Sequence, residues 1–326
     1  GNLVQQAQAL VELEARIAGA GSRVERARRE ALAATESFVA WLQAQAPSKT
    51  GPSGVGKENY TWYQRHVHLV PLSWEQQVDL LQRELARAHA SLRLEEQRNR
   101  DLPPMPVITT AKEYQERGNA AVTRYHEFLA AKDIMAVEPW MDPAMRAHVG
   151  EFVAEDQRNF FAIATHYEPL TLYTHFYHWW DLARMREQPH TSAIRRGPLL
   201  YNIWDSRAEG MATGMEEMMM HAGLYDAQPR AREIVWIMLA QRAARGLGSL
   251  YAHANEFTLK QAQDFHVAWT PRGWMREDLD LLGFEQLLYL RQPGYGTSYV
   301  VGKYQVERLL MERARQQGAD FNMRGF

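Results

Sequence analysis

Apolar side chains recur at helical spacing along most of this chain of 326 residues. The pattern begins at once, because residues 3–17 carry leucine, valine and alanine at intervals of three and four, which places them on one face of a helix. Strand patterns are confined to two short runs, residues 167–173 and 299–301. Ser or Thr followed three residues later by Glu or Gln, a capping signature, marks further helix starts at Ser22, Ser73, Thr110 and Thr258. The sequence therefore predicts a mainly α-helical fold with few short strands.

Proline marks the clearest break in this pattern. Residues 101–106 contain three prolines, which interrupt a helix because proline has no amide hydrogen to donate. We therefore divide the chain into an N-terminal helical part, residues 1–102, and a C-terminal helical part, residues 107–326. The length permits two lobes with a cleft between them. We expect the two parts to pack as one continuous body.

Charge and composition exclude several classes of protein. The 37 basic and 39 acidic residues leave a formal charge of −2, whereas a nucleic-acid-binding protein usually carries a basic field. The chain has no cysteine, so any metal must be held by His, Asp or Glu. Apolar stretches fall short of the roughly 20 residues that span a bilayer. We expect a soluble protein that binds neither nucleic acid nor membrane, either cytoplasmic or exported after removal of a signal.

The densest group of polar residues within an apolar segment lies at residues 174–181, which read T-H-F-Y-H-W-W-D. Residues three apart share a helical face, so His175, His178 and Asp181 should project in roughly one direction. Two imidazoles and a carboxylate form a suitable set of ligands for Zn, Mn or Fe. The alternative is that these histidines only form hydrogen bonds within an aromatic-rich helix.

Further carboxylates follow in a methionine-rich segment, residues 205–220, which reads as a helix. Glu209 and Glu216 lie two turns apart on one face, and Asp205 precedes Glu209 by one turn. An inward orientation of Glu209 and Glu216 is at least as well supported as a solvated one, whereas Glu217 reads as solvated. Because ample chain separates Asp181 from Glu209, an antiparallel helix pair can bring Glu209 to the histidines.

From Glu209 onward the chain resembles the bacterial family known as domain of unknown function 885, whose members are mainly helical and grouped with zinc metallopeptidases. The family element E-G-W-A-L-Y corresponds to residues 209–214, and E-x-G-L-Y corresponds to residues 221–225. G-x-H-x-x-G-W-T resembles residues 250–258, and P-G-Q-A-x-S-Y-x-x-G resembles residues 293–302. The resemblance covers about residues 170–315 and implies a helical metallopeptidase-like body with a cleft.

The family's hallmark string, H-E-x-x-P-G-H-H, is absent. His175 stands at the position of the first histidine, Asp181 falls near the second, and Phe176 occupies the place of the catalytic glutamate. The resemblance therefore implies a metal site, zinc above all, that is weaker than in relatives with the full string or even empty. The predicted ligands are His175, His178, Asp181 and Glu209.

The resemblance also suggests roles for three other residues. Glu216 is the acid that could take over from the missing general base. His253 matches a family histidine and is predicted to act as an electrophile or to orient a ligand, with a surface position at a helix end as the alternative. Tyr299 follows a glycine-rich loop, where its hydroxyl could stabilise an oxyanion. We expect His253 and Tyr299 to converge on the same cleft as Glu209.

Two functions remain. The first is a metal-dependent hydrolase that acts on a small peptide, amide or related substrate through a metal-activated water. The second is a non-catalytic relative that has lost the base and serves binding or assembly. Nucleotide-driven and serine-hydrolase chemistry find no support, because the sequence has no P-loop, no Rossmann glycine pattern and no G-x-S-x-G elbow,.

Overall fold

A computed structural model describes residues 2–196 and 205–326. Throughout this described part, the regular elements are helices, and the mainly α-helical prediction is confirmed. The chain divides into two compact units, Gly1–Pro52 and Ser53–Phe326. The predicted division near residue 102 does not coincide with this boundary, because the helix that precedes it belongs to the core of the second unit.

The first unit is a pair of helices, α1 (Asn2–Arg16) and α2 (Ser22–Gln45). Gly19 and Gly21 both have positive φ angles, 88° and 94°, which an L side chain rarely adopts. They allow the chain to reverse within a few residues. Thr35 of α2 accepts a hydrogen bond from Gln6 of α1, so polar as well as apolar contacts join the pair.

The second unit contains thirteen α-helices within the described residues, and three of the predicted capping residues start theirs as expected. Ser73 and Thr258 form capping boxes, and Thr110 accepts a hydrogen bond from the amide of Glu113. The helices are α3 (Lys57–His66), α4 (Trp74–Arg98), α5 (Ala111–Ala131), α6 (Met141–Arg146), α7 (Phe160–Tyr167), α8 (Pro169–Tyr173), α9 (Tyr177–Glu187), α10 (Ala193–Arg196), α11 (Asp205–His221), α12 (Ala231–His253), α13 (Leu259–Trp269), α14 (Asp280–Arg291) and α15 (Tyr295–Gln317).

Short 3-10 helices supplement them. They are Ala46–Ser48 in the first unit and Glu155–Gln157, Thr174–Phe176, Pro271–Gly273 and Gly318–Asp320 in the second.

Helix α12 forms the centre of the second unit. Nearly all of its residues are buried, and it packs against α4, α13, α14 and α15. A helix buried on every side has no solvated face, so its charged residues need partners inside the protein. The indole of Trp74, the first residue of α4, donates a 2.8 Å hydrogen bond to the carbonyl of Leu250. Helix α4 therefore belongs with α12, although the proline-rich segment separates them in sequence.

Two glycines let α11 and α15 approach closely. A Cβ atom on Gly210 would lie 2.3 Å from the backbone of Gly302, and one on Gly302 would lie 1.8 Å from the carbonyl oxygen of Ser206. No side chain fits at either position. This contact places Glu209, the neighbour of Gly210, directly against the first turns of α15.

Both strand predictions were wrong. Residues 169–173 form α8, because Pro169 occupies its first turn and the Glu168 side chain accepts a hydrogen bond from the amide of Leu170. Residues 299–301 lie within α15, where Tyr299, Val300 and Val301 are all buried. A short apolar run does not distinguish a strand from a buried helix, and here tertiary burial decided.

In the described ranges, we find no helix that is both long and apolar enough to cross a membrane.

Candidate functional site

Three of the four predicted metal ligands lie together. One ligand atom from each of His175, His178 and Glu209 falls within 4.8 Å of the other two. His175 belongs to the 3-10 helix that joins α8 to α9, His178 lies in the first turn of α9, and Glu209 lies on α11. The two imidazole rings stand perpendicular, with centroids 5.0 Å apart. The expected approach of α11 to the histidine segment is therefore present.

Glu209 is held at both carboxylate oxygens. Oε1 accepts a 2.9 Å hydrogen bond from the hydroxyl of Tyr295, and Oε2 lies 3.2 Å from Nε2 of His175. Burial raises the pKa of Glu209, but the hydrogen bond and charge of His175, together with His178 and Tyr295, outweigh it and lower the pKa to about 2. The carboxylate is therefore ionised at neutral pH.

His178 offers a free ligand atom. Its Nδ1 is buried, and the structure as described gives it no hydrogen-bond partner. Burial and the neighbouring His175 lower the pKa of His178 to about 4. The ring is therefore neutral at pH 7, the form that coordinates a metal. The Trp179 ring lies edge-on to it, with centroids 4.6 Å apart.

The donor set fits a divalent cation. Two neutral imidazoles and an ionised carboxylate match the ligands of catalytic zinc sites, which have three protein ligands and one open position. The unpartnered Nδ1 of His178 is the observation that speaks most directly for a missing ligand, because an unpaired buried polar atom costs about 1–3 kcal/mol. His175, His178 and Glu209 would hold the ion.

The fourth predicted ligand, Asp181, does not join this group. Arg207 donates to both of its carboxylate oxygens, at 2.5 and 3.1 Å, and Arg184 donates to one at 2.6 Å. Burial raises the pKa of Asp181, but these two arginines outweigh it and lower the pKa. The prediction assumed one continuous α-helix. In the observed chain a 3-10 turn precedes α9, and residues three apart eclipse in a 3-10 helix but are rotated by about 60° in an α-helix.

Glu216 faces the group from the opposite side of His175. Both of its oxygens accept hydrogen bonds from Arg242, at 2.7 and 2.6 Å, and Oε1 lies 2.8 Å from Nδ1 of His175. Glu216 and Arg242 are each about 1% exposed. The predicted role as general base is not favoured by this arrangement, because both oxygens are already engaged and lie beside the ring nitrogen that faces away from Glu209.

Tyr299 lies at the group as expected. Its ring stacks parallel to that of His175, with centroids 6.0 Å apart, and its hydroxyl donates to the hydroxyl of Tyr295 at 3.3 Å. The guanidinium of Arg245 lies 4.1 Å from the centre of the Tyr299 ring. Burial raises the pKa of this hydroxyl further above its ordinary value, so the group is a hydrogen-bond donor and not a base.

His253 is buried but stands apart from the three ligands. Its Nε2 lies 3.0 Å from the carbonyl oxygen of Tyr289, and its ring packs against Tyr60. Burial lowers the pKa of His253. Since it follows Arg242 by eleven residues on the same helix, it lies about 16 Å further along the axis. The structure therefore does not bring His253 to the site, and it also excludes the alternative of a surface histidine.

Three residues near the site were given no role by the sequence. Tyr295 occupies the glutamine position of the family element, so the resemblance assigned it nothing. Arg242 and Arg245 could have been recognised, because each places a charge inside a long apolar run and a buried charge requires a partner.

Asp205, the first residue of α11, is a buried acid one turn from Glu209. Its Oδ2 has no hydrogen-bond partner among the described residues. Burial, and secondarily the charge of Glu209, raise the pKa of Asp205 to about 8. Among the acids discussed above, it alone keeps an unpaired carboxyl oxygen.

No protein family model matches the sequence, and no curated protein matches it. The resemblance to domain of unknown function 885 stays a prediction from its motifs.

Two solved structures are similar to the chain in fold. One, from Shewanella oneidensis, is described as "a putative lipoprotein of unknown function"; its TM-score is 0.65 at 14% identity, and the match covers 93% of this chain and 61% of that one. The other is described as "the putative lipoprotein from Colwellia psychrerythraea", with a TM-score of 0.59, 13% identity and coverage of 93% and 59%. The chain spans about three-fifths of the length of each neighbour, and the likeness concerns the fold.

Proposed function

We propose that this protein binds a divalent metal ion, zinc by preference, through His175, His178 and Glu209. The observation that carries the proposal is the free Nδ1 of the neutral His178, within 4.8 Å of ligand atoms from the other two residues. A buried donor atom without a partner, beside an ionised carboxylate, is the arrangement that a cation completes.

The charges around the group support a cation. Glu216 is paired with Arg242, and Glu285 is paired with Arg245 at 2.5 Å. Glu209 has only His175 and Tyr295 as hydrogen-bond partners among the described residues. With neutral histidines, Glu209 therefore leaves one uncompensated negative charge. A dication reverses that sign and leaves the site able to accept a further anionic group.

We infer a hydrolase of small peptides, amides or related compounds as the activity of the loaded site. A bound zinc ion would polarise a carbonyl and lower the pKa of water to about 7. In this proposal Tyr295 holds Glu209, the neutral rings of His175 and His178 supply the remaining ligands, and Asp205 supplies the unpaired carboxyl oxygen for a proton. Glu216 takes no part in proton transfer.

A non-catalytic metal-binding protein is the second candidate. Two observations favour it: Phe176 stands in place of the family's catalytic glutamate, and both oxygens of Glu216 are engaged by Arg242. Binding or assembly would then be the role of the chain.

Calorimetric titration of the metal-free protein with zinc tests the site. We expect one ion per chain and an affinity reduced at least tenfold in His178→Ala, which removes a ligand whose Nδ1 has no hydrogen bond in the fold. His221→Ala is the matched control, since His221 ends the same helix as Glu209 and its side chain is 60% exposed. Failure of the wild type to bind zinc, or equal affinity in His178→Ala, would contradict the metal site.

Turnover distinguishes the two candidates. The zinc-loaded protein is incubated with a set of chromogenic amino-acid and dipeptide amides. Hydrolysis that is lost on chelation and in His178→Ala supports the enzyme. A protein that binds zinc at this site and releases no chromophore is the non-catalytic relative.

A further inference from the structure

Two buried arginines of α12 lie directly behind the candidate metal site. Arg242 and Arg245 are one helical turn apart and only 1% and 2% exposed. Each is paired with a buried glutamate, Glu216 for Arg242 and Glu285 for Arg245. Burying two such pairs is costly and by itself contributes little to stability. A role beyond stability is therefore worth seeking in what these pairs contact next.

The first pair contacts His175. Glu216 Oε1 lies 2.8 Å from Nδ1 of the ring, and a carboxylate can only accept, so Nδ1 carries the hydrogen,. The competing arrangement has Arg242 donating to Nδ1 at 3.3 Å. That contact is longer, and the same Nη2 atom already donates to Glu216 at 2.6 Å. In a neutral imidazole, a hydrogen on Nδ1 leaves the lone pair on Nε2, the atom that faces Glu209.

The second pair leads to Glu209 through two tyrosines. Arg245 packs 4.1 Å from the centre of the Tyr299 ring. Tyr299 donates to the hydroxyl of Tyr295, and Tyr295 donates to Oε1 of Glu209 at 2.9 Å. Oε1 is thereby engaged, and Oε2 is the oxygen directed at His175.

The two routes share one design. Each ligand is held by the atom that faces away from the site, Nδ1 in His175 and Oε1 in Glu209, so the other atom is presented toward it. Metal-binding histidines commonly donate their second nitrogen to a carboxylate, which fixes the tautomer and the ring orientation.

We propose that Glu216 and Tyr295 are positioning residues of this site: Glu216, held by Arg242, fixes His175 with its lone pair on Nε2, and Tyr295 directs Oε2 of Glu209 inward. The inference rests on the proposed metal site for its purpose, but the tautomer of His175 is a property of the protein without metal.

Nitrogen-15 NMR of the metal-free protein at pH 8.5, well above the ordinary histidine pKa of about 6.5, tests the first half. His175 should show a protonated Nδ1, with its signals assigned by their loss in His175→Gln. In Glu216→Gln the amide oxygen faces Arg242 and the amide nitrogen can donate to Nδ1, so the tautomer should switch to protonated Nε2. Glu216→Asp retains an acceptor and should keep the hydrogen on Nδ1.

Zinc affinity tests the consequence. Glu216→Gln should weaken binding by about 10- to 100-fold, the usual effect of losing such a partner, and Glu216→Asp should recover part of it. Tyr295→Phe should weaken binding about tenfold without changing the tautomer. Tyr299→Phe is its matched control, because its hydroxyl is one hydrogen bond further from Glu209 and should have a smaller effect. Urea unfolding of every variant confirms that it is folded.

The outcomes separate the two proposals. A hydrogen on Nε2 of wild-type His175, or zinc affinity unchanged in both Glu216→Gln and Tyr295→Phe, overturns the positioning roles. A wild type that shows the Nδ1 hydrogen and its switch in Glu216→Gln, yet binds no zinc, retains Glu216 as the residue that orients His175 and overturns the metal site.

Discussion

Glu209 and Glu217 lie two turns apart on α11, and both are buried, yet their surroundings differ. Glu217 accepts hydrogen bonds from Arg87 at 2.6 and 2.8 Å and lies 3.0 Å from the ammonium of Lys303. Glu209 is held by a histidine and a tyrosine instead. Burial raises the pKa of each, and in each the hydrogen-bonding partners outweigh it and lower the pKa.

The comparison shows what a buried carboxylate requires. Glu217 receives two full positive charges from its own chain, so its environment is complete. Glu209 has neither lysine nor arginine as a hydrogen-bond or ion-pair partner in the ranges that the structure describes, and a nearby His178 has an unpartnered nitrogen. One helix thus carries a closed ion-pair network and, two turns earlier, a site that an external cation would complete. The predicted solvated position of Glu217 was wrong for the same reason: burial was made affordable by distant cations.

Removing Lys303 should give the largest effect on stability. Lys303 is 1% exposed and also contacts Glu84 and Glu307, so Lys303→Met leaves three acids with only Arg87 among them. We expect a loss of about 4 kcal/mol in the free energy of unfolding, because breaking a buried pair leaves an uncompensated charge. Urea unfolding measures it, and zinc affinity should stay unchanged.

Lys112→Met is the control for this variant. Lys112 lies 3.8 Å from Glu116, and both side chains are largely exposed. Surface pairs of this kind contribute about 0–1 kcal/mol. If Lys303→Met cost no more than Lys112→Met, the network around Glu217 would not be the closed structure described above.

Asp205→Asn should stabilise the protein at high pH. Burial raises the pKa of Asp205 from 3.8 to about 8, so the folded protein favours the protonated form. The wild type therefore keeps the full contribution of this group below about pH 4 and loses it progressively as the pH rises toward 8. Asparagine stays neutral throughout. The variant should exceed the wild type by on the order of 3 kcal/mol at pH 8 and match it at pH 4.

Urea unfolding at both pH values measures this difference. The exposed Asp320 provides the control, since Asp320→Asn should change stability little at either pH. Equal stability of Asp205→Asn and wild type at pH 8 would show that Asp205 is solvated or paired and would remove it as the free acid beside Glu209.

Zinc should stabilise the folded wild type by about 2.7 kcal/mol when its free concentration is a hundred times Kd, because it binds only the folded protein. The same addition should leave Glu209→Gln unchanged, whereas Lys303→Met should gain as much as the wild type. Thermal unfolding with and without zinc measures the gain. Stabilisation of Glu209→Gln to the same extent would place the cation elsewhere in the chain.

Local patterns predicted much of the fold and part of the site. The capping signatures at Ser73 and Thr258 predicted real helix starts, because a cap depends on residues only three apart. The spacing of His175 and His178 survived, since adjoining turns of 3-10 and α-helix still bring residues three apart together. Asp181 lay one turn too far along, where the change of helix type had rotated it toward Arg184 and Arg207.

Which atoms remain free was decided by the tertiary structure alone. The sequence by itself determined a mainly helical chain without cysteine, in which two histidines and Glu209 carry the metal-binding chemistry. It did not determine that Glu216 is occupied by Arg242, or that Tyr295 holds Glu209. Those choices depend on contacts between residues 26 and 86 positions apart, and only the packing of α12 and α15 against α11 brings such residues within hydrogen-bonding distance.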